Sequence, residues 1–412
     1  MDTTIKKSEF IWNTIGSIFA SLLSVVLLFV ITRVNGVDDA GMFSIAFSSA
    51  TILYTIADSQ VRVFQVTDTD RKYGFGVYLS VRNILSLLML IAGVVFVFVS
   101  RYDWQKALVC MGLVVFRMID ALSETYQGEF QLDGRLDIGG KSVFYRMLIS
   151  LAVFGVVDVI SKNLLVSIFC MCLTNLIIWI AYDRRLVKQY NTERCSKNKQ
   201  EIKEVIYACF PLFVSMFLNN YIINAPKYAI DKYMTYEMQT YFNIIYLPTF
   251  VINLMSIFVL KPMLKTMGIM WNTDQKKKFA GILGKMILAI LVLTIIAEVV
   301  GYFIGIPILS WIYGVDLKPY KIELLILIVS GGLSAITVAL LYALSTMRCQ
   351  GKSSIAYIAA AVSGVILPYY MVSRWGILGA SVSSVGIMAI LSLGLLGIFL
   401  GELRTKKSGG TM

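Results

Sequence analysis

The sequence predicts an all-α integral membrane protein: about twelve transmembrane helices in two six-helix lobes around a central cavity. Three observations predict it. The 412-residue chain is 58% hydrophobic and 15% charged, where a soluble domain carries about 25% charged residues. Its mean hydropathy is +0.75, and apolar runs of about 20 residues, the length that crosses roughly 30 Å of hydrocarbon, recur throughout. One polar stretch, 183–203, halves the chain.

In chain order the spans fall near 10–32, 41–61, 78–99, 105–127, 143–161, 163–182, 203–224, 236–260, 282–304, 323–345, 353–371 and 376–400. The first follows Lys6-Lys7, yet it is long, and Thr32-Arg33-Val34-Asn35-Gly36 is no small-residue cleavage site. It is expected to remain as an uncleaved helix. The fourth and seventh spans are the least hydrophobic and read as helices that line something polar. Pro211 and Pro248 interrupt the seventh and eighth, where a gate and a plainly tolerated kink are both open readings.

Charge supports this count. With the N-terminus in the cytoplasm, about 23 Lys and Arg residues fall on cytoplasmic segments and about 9 on outer ones, a positive-inside bias with both termini inside. The net charge of +12 is therefore explained by topology, and no nucleic-acid partner is expected. The linker 183–203 separates an N-terminal lobe, 1–182, from a C-terminal lobe, 204–412.

Several chemistries are excluded. The chain has no histidine, so His-based metal sites, general bases and proton relays are absent. No phosphate-binding loop is present, so energy must come from an ion gradient or from the substrate's own gradient. The six cysteines lie mostly in spans or on cytoplasmic segments, and Cys170-Met171-Cys172 lacks metal-ligand spacing. No catalytic residue, cofactor or metal is expected, and the chain does not read as an enzyme.

The polar residues inside spans carry the functional expectation. Arg117, Asp120 and Glu124 stand at i, i+3 and i+7, on one face of the fourth span, and the face continues to Gln127 and Gln131. A charge at bilayer depth costs on the order of 2.5–3.5 kcal/mol on insertion scales, so it is kept for a partner or a watery cavity. Arg117 then attracts an anion while Asp120 or Glu124 balances it or binds a coupling cation; an internal ion pair that only locks spans together is the plainer reading. Asp58 and Arg62 stand at i, i+4 and read as an intrahelical pair. Arg62, Arg82 and Arg146 each fall toward a cytoplasmic span end, where snorkelling to headgroups explains any one of them. Together with Arg117 they give the first lobe a cationic interior suited to an anionic head, because Arg grips phosphate with a bidentate fork.

Asn220, Asn224, Lys227 and Asp231, at offsets 0, 4, 7 and 11, form a polar stripe on the seventh span. Asn13, Ser17, Ser21 and Ser24 form another on the first, and Asn243, Tyr246 and Asn253 mark the eighth. Amides and hydroxyls among aromatics suit sugar binding and equally suit helix–helix adhesion. Asp158 and Glu298 sit near outer span ends and read as interfacially solvated.

Several segments resemble a known family. Phe10-Ile-Trp-Asn-Thr-Ile-Gly16, Thr32-Arg33-Val-Asn-Gly36-Val-Asp-Asp-Ala-Gly41-Met-Phe-Ser44 and Val61-Arg62-Val-Phe-Gln65-Val-Thr-Asp68 resemble the start of bacterial polysaccharide-repeat flippases of the Wzx type. Ile308-Leu-Ser-Trp-Ile-Tyr-Gly314 and Trp375-Gly-Ile-Leu-Gly-Ala380-Ser are similar to that family's recurring patterns. The resemblance implies the multidrug/oligosaccharidyl-lipid/polysaccharide exporter superfamily. It implies two six-span lobes, alternating access, and movement of undecaprenyl-pyrophosphate-linked oligosaccharide across the bacterial cytoplasmic membrane for surface polysaccharide assembly. The implied partners are the lipid-linked oligosaccharide, membrane lipids, and a polysaccharide polymerase with its chain-length machinery. A fourteen-span peptidoglycan-precursor flippase fits less well, since an extra pair of spans is lacking. A cation-coupled drug or metabolite exporter of the same superfamily is the nearest alternative; such exporters often carry a first-span carboxylate, and Phe10–Thr32 has none. A membrane-embedded polymerase needs a sizeable outer loop, and none here exceeds about 20 residues.

Overall fold

The structure is a computed structural model that describes residues 7–189, 198–260, 263–347 and 349–405. Lys6, Cys195, Lys261, Arg348, Lys406, Lys407 and the middle of the 183–203 stretch lie outside the described residues. The chain divides into two compact units, Met1–Asn220 and Tyr221–Met412.

The first unit begins with α1 (Lys7–Val34), α2 (Val37–Asp58), α3 (Val61–Thr67), α4 (Phe75–Val99), α5 (Trp104–Leu132) and α6 (Leu136–Ser161). α7 (Leu164–Ile178) runs on through a π turn (Trp179–Asp183) into α8 (Arg184–Leu186), and α9 (Lys199–Tyr233) follows. α9 is continuous through Pro211, and the boundary between the two units falls within it.

The second unit contains α10 (Tyr236–Leu260), α11 (Met263–Asn272) and α12 (Lys276–Val300), which continues through a π turn (Gly301–Gly305) into α13 (Ile306–Tyr313). α14 (Lys321–Thr346) and α15 (Gln350–Thr405) complete it. α10 stays helical through Pro248.

Among the described residues, nine helices are long and apolar enough to cross a membrane. α15 covers the last two expected spans. Its 56 residues would reach roughly 84 Å if straight, far more than one bilayer needs. Gly376, at φ 56° and ψ −132°, breaks it between those spans, a conformation that suits a residue without Cβ. α5 and α10, with 29 and 25 residues, have the length for the remaining two. α5 carries five charges, which lowers its hydropathy and marks it as an interior helix.

Packing explains which helices are inside. In the first unit α5 packs on α2, α3, α4, α6 and α7, while α1 packs mainly on α6. The α2–α3 segment is the most enclosed of the candidate spans, with 78% of its window buried, against 28% for α1 and for α6. Small residues let these helices approach closely. Gly16 and Gly140 face each other across the α1–α6 seam: a Cβ on Gly140 would lie 2.5 Å from the Asn13 backbone nitrogen. Outward faces are apolar, as contact with lipid requires; Phe98, Trp104, Ile160 and Trp311 are each at least 79% exposed. In the second unit α14 is the central helix, packed on α10, α12 and α15.

Candidate functional site

The polar face predicted on α5 exists, and it organises the interior of the first unit. Its N-terminus is fixed by Asp103, whose side chain accepts from the Lys106 backbone N–H at 3.1 Å. From there Arg117, Asp120, Ser123, Glu124, Gln127 and Gln131 follow down one side of the helix, and each meets a partner from a neighbouring element or its own turn.

Arg117 is partly accessible, with 20% of its side chain exposed. It pairs with Asp120 at 3.5 Å. Its guanidinium lies over the Phe47 ring at 4.6 Å and near the Tyr54 ring at 5.7 Å, both on α2. Asp120 is shared: Arg146 of α6 donates to it at 3.1 Å, and Asn175 of α7 donates to the same oxygen at 3.2 Å. Arg146 also donates to the Asn175 carbonyl oxygen at 3.0 Å.

Arg82 of α4 sits between two carboxylates, Asp58 at 3.9 Å and Glu124 at 3.8 Å. It donates to Thr125 at 3.0 Å and to the backbone oxygens of Ala57 and Asp58 at 2.5 and 3.1 Å. The open carbonyls exist because α2 ends there. Ser59 and Gln60 take left-handed φ values of 38° and 55°, and the chain restarts as α3.

That break corrects two expectations. Asp58 and Arg62 are not an i, i+4 pair, because two left-handed residues separate their helices; Asp58 faces Arg82 and Gln60 instead. Arg62 turns to α5 and donates to Gln127 at 2.8 Å and Gln131 at 3.2 Å. Snorkelling fails for Arg82 and Arg146, whose side chains are 0% and 2% exposed. Their guanidinium groups are buried against internal acceptors, so neither presents a surface to a ligand.

Two further placements differ from the sequence reading. Asp158 is buried rather than interfacially solvated, accepting from Asn35 at 3.1 Å and Ser167 at 2.8 Å. Asp183 does not open a solvated linker. It closes the π turn, is fully buried and accepts from Ser123. Ser123 in turn accepts from Gln127 at 3.1 Å.

The first-unit arginines therefore do not form a purely cationic interior. Arg62, Arg82, Arg117 and Arg146 are interleaved with Asp58, Asp120, Glu124 and Asp183. Arg82 faces two carboxylates, Arg117 and Arg146 share one, and Arg62 meets amides. Below them Arg71 binds Glu129 at 2.6 Å and also pairs with Asp133, closing the far end of the face.

The stripe on α9 falls partly in each unit. Asn220 donates back to the Met216 carbonyl at 3.1 Å. In the second unit Asn224 is buried, and Lys227 lies over the Tyr246 ring at 5.4 Å. Asp231 shares its face by spacing. Asn243 and Asn253 donate to their own helix at 2.7 and 2.9 Å, and Ser334 of α14 donates to Asn253 at 3.1 Å. Ser17 and Ser21 of α1 likewise bond to backbone oxygens one turn back. Ser17, Ser21, Asn243 and Asn253 are thereby engaged with their own helices. Among the described residues, Cys110, Cys170, Cys172, Cys209 and Cys349 form no disulfide. No three His, Cys, Asp or Glu side chains among them gather to hold a metal.

Sequence reasoning missed Asn175, Ser123, Thr125 and Asp183. Asn175, a lone amide in the apolar Leu164–Ile178 run, was the detectable signal. Asp183 was masked by the Arg184-Arg185 pair that follows it.

The overall architecture matches solved transporters. The structure resembles the lipid II flippase MurJ in an inward closed conformation, with a TM-score of 0.72 and 13% identity over 95% of this chain and 89% of that one. It also resembles an inward-facing multidrug resistance MATE transporter of the MOP superfamily, with a TM-score of 0.67 and 14% identity over 97% and 95% of the two chains. The fold is that of the MOP transporters. No protein-family profile matches the sequence. The chain is 21% identical over 381 residues to the capsular polysaccharide biosynthesis protein CapF of Staphylococcus aureus, spanning 91% of this chain and 94% of that protein. The MOP fold and this full-length likeness agree with the flippase resemblance seen in the sequence.

Proposed function

We propose that the protein is a flippase for lipid-linked oligosaccharide repeat units that feed a surface polysaccharide. The observation that carries this reading is the polar face of α5, where Arg117 is accessible and keeps positive charge because Asp120 is already held by Arg146. Arg117 and Arg62 take the anionic diphosphate of an undecaprenyl carrier. Arg82 and Arg146 hold the carboxylates and the helices in place. The full-length likeness to a capsule protein supports the cargo class.

In this reading the lobes are 1–182 and 204–412, joined by the 183–203 linker, and they alternate access to a central cavity. The membrane is the bacterial cytoplasmic membrane, with both termini inside. The stripe Asn220, Asn224, Lys227 and Asp231 lines the sugar path. A polysaccharide polymerase and its chain-length machinery act on the product.

A second reading is favoured by Arg82. One guanidinium faces two carboxylates, Asp58 and Glu124, leaving a negative charge for a coupling cation, as a drug or metabolite exporter also needs. The deciding experiment is deletion in the native host with analysis of lipid-linked intermediates. Loss of surface polymer with single repeats held on the carrier at the inner leaflet is expected. Intact polymer with raised sensitivity to cationic drugs would favour the exporter.

A further inference from the structure

Every carboxylate on the α5 face has a cation within salt-bridge distance. Asp120 has Arg117 and Arg146, Glu124 has Arg82, and Glu129 and Asp133 have Arg71. Arg62 differs. It is half-buried, and its partners are two neutral amide oxygens, Gln127 at 2.8 Å and Gln131 at 3.2 Å. The carboxylate that its hydrogen-bond chain reaches is Asp183, with Gln127 and Ser123 between them.

The two amides stand at i and i+4, one helical turn apart, and each receives a different terminal nitrogen of the guanidinium. That fixes the fork in plane while leaving three of its five N–H groups unused. α3 is seated closely enough for this because Gly128 lies under Gln65; a Cβ there would meet the Gln65 amide oxygen at 2.4 Å. Gln65 also donates to Glu129 at 3.3 Å, which pins α3 one turn beyond Arg62. An arginine meant only to lock helices is served better by a carboxylate. A neutral cradle orients the group and keeps its whole charge.

We propose that Gln127 and Gln131 are positioning residues that hold Arg62 as an uncompensated receptor for a diphosphate. The diphosphate as ligand rests on the function proposed above; the neutral cradle does not. Gln127→Glu and Gln131→Glu are nearly isosteric, and each places a carboxylate where the amide oxygen now accepts. Arg62 stays in place, but its charge is cancelled.

The test is calorimetric binding of inorganic pyrophosphate and of a short-chain isoprenyl diphosphate to purified full-length protein in detergent. Thermal unfolding is measured alongside. Gln131→Glu is expected to unfold at or above the wild-type temperature and Gln127→Glu below it, because its second oxygen faces the Ser123 hydroxyl already given to Asp183. Both are expected to bind pyrophosphate about ten-fold more weakly or worse, the size of one lost charge-assisted contact. Arg62→Gln is expected to match that loss. If Gln127→Glu does not fold, Gln131→Glu carries the same comparison. Glu variants that bind like wild type overturn the cradle while leaving the lipid-diphosphate reading intact. Pyrophosphate binding that falls in the Glu variants, with no competition from isoprenyl diphosphate, supports the cradle and overturns the lipid reading. A wild type that binds neither ligand overturns both.

Discussion

Replacing Arg82 with methionine keeps most of the side-chain volume and removes a fully buried cation. Its guanidinium makes three hydrogen bonds, to Thr125, Ala57 and Asp58, and faces two carboxylates below 4 Å. Without it, Asp58 and Glu124 oppose each other with no counter-charge, and the last carbonyls of α2 lose their donor. Breaking a buried ion pair from one side costs about 3–5 kcal/mol. Glu124 is 26% exposed, so water relieves part of its charge and the lower half of that range is expected. Replacing Arg82, Asp58 and Glu124 together by Met, Asn and Gln should recover most of the loss, because the penalty belongs to the orphaned charges. The assay is reversible unfolding in mixed micelles for wild type, single and triple variants. An Arg82→Met protein within about 1 kcal/mol of wild type would refute the reasoning, since snorkelling side chains are replaceable at that cost.

Gly140→Leu should disrupt the α1–α6 seam, because even its Cβ meets the Trp12–Asn13 backbone, whereas Gly155→Leu on the same helix meets open space and should be silent. Thermal unfolding of the two proteins in detergent checks the contrast. Arg146→Met should destabilise more than Arg117→Ala, since it removes a buried guanidinium that holds both Asp120 and Asn175, whereas Arg117 is partly exposed; unfolding midpoints decide it. Asp183→Leu should cost roughly 1–3 kcal/mol by leaving the buried Ser123 hydroxyl without its acceptor, as measured by the same unfolding assay. A solvated linker residue at that position would tolerate the change.

The fold was largely legible because spans and their charged ends follow from hydropathy and from the cost of charge in lipid. The α5 face was legible for the same reason: Arg117, Asp120 and Glu124 declare themselves by helical spacing inside an apolar run. The partners were not. Ser59 and Gln60 carry no glycine or proline signal, so the end of α2 was invisible and Arg62 was paired with the wrong residue. Asp183 is buried at the end of a π turn that no local composition marks. The break at Gly376 was readable from Trp375-Gly376 between two apolar runs, although helical geometry resumes at once on either side.

The most direct test of the central claim is translocation by the purified protein. The wild type and Arg117→Ala are reconstituted into liposomes with a fluorescent isoprenyl-diphosphate oligosaccharide, and movement between leaflets is followed by quenching. The account predicts transfer by wild type and at least about ten-fold slower transfer by a normally folded Arg117→Ala, with Arg117→Lys between them. No transfer by wild type, or equal transfer by Arg117→Ala, would contradict it.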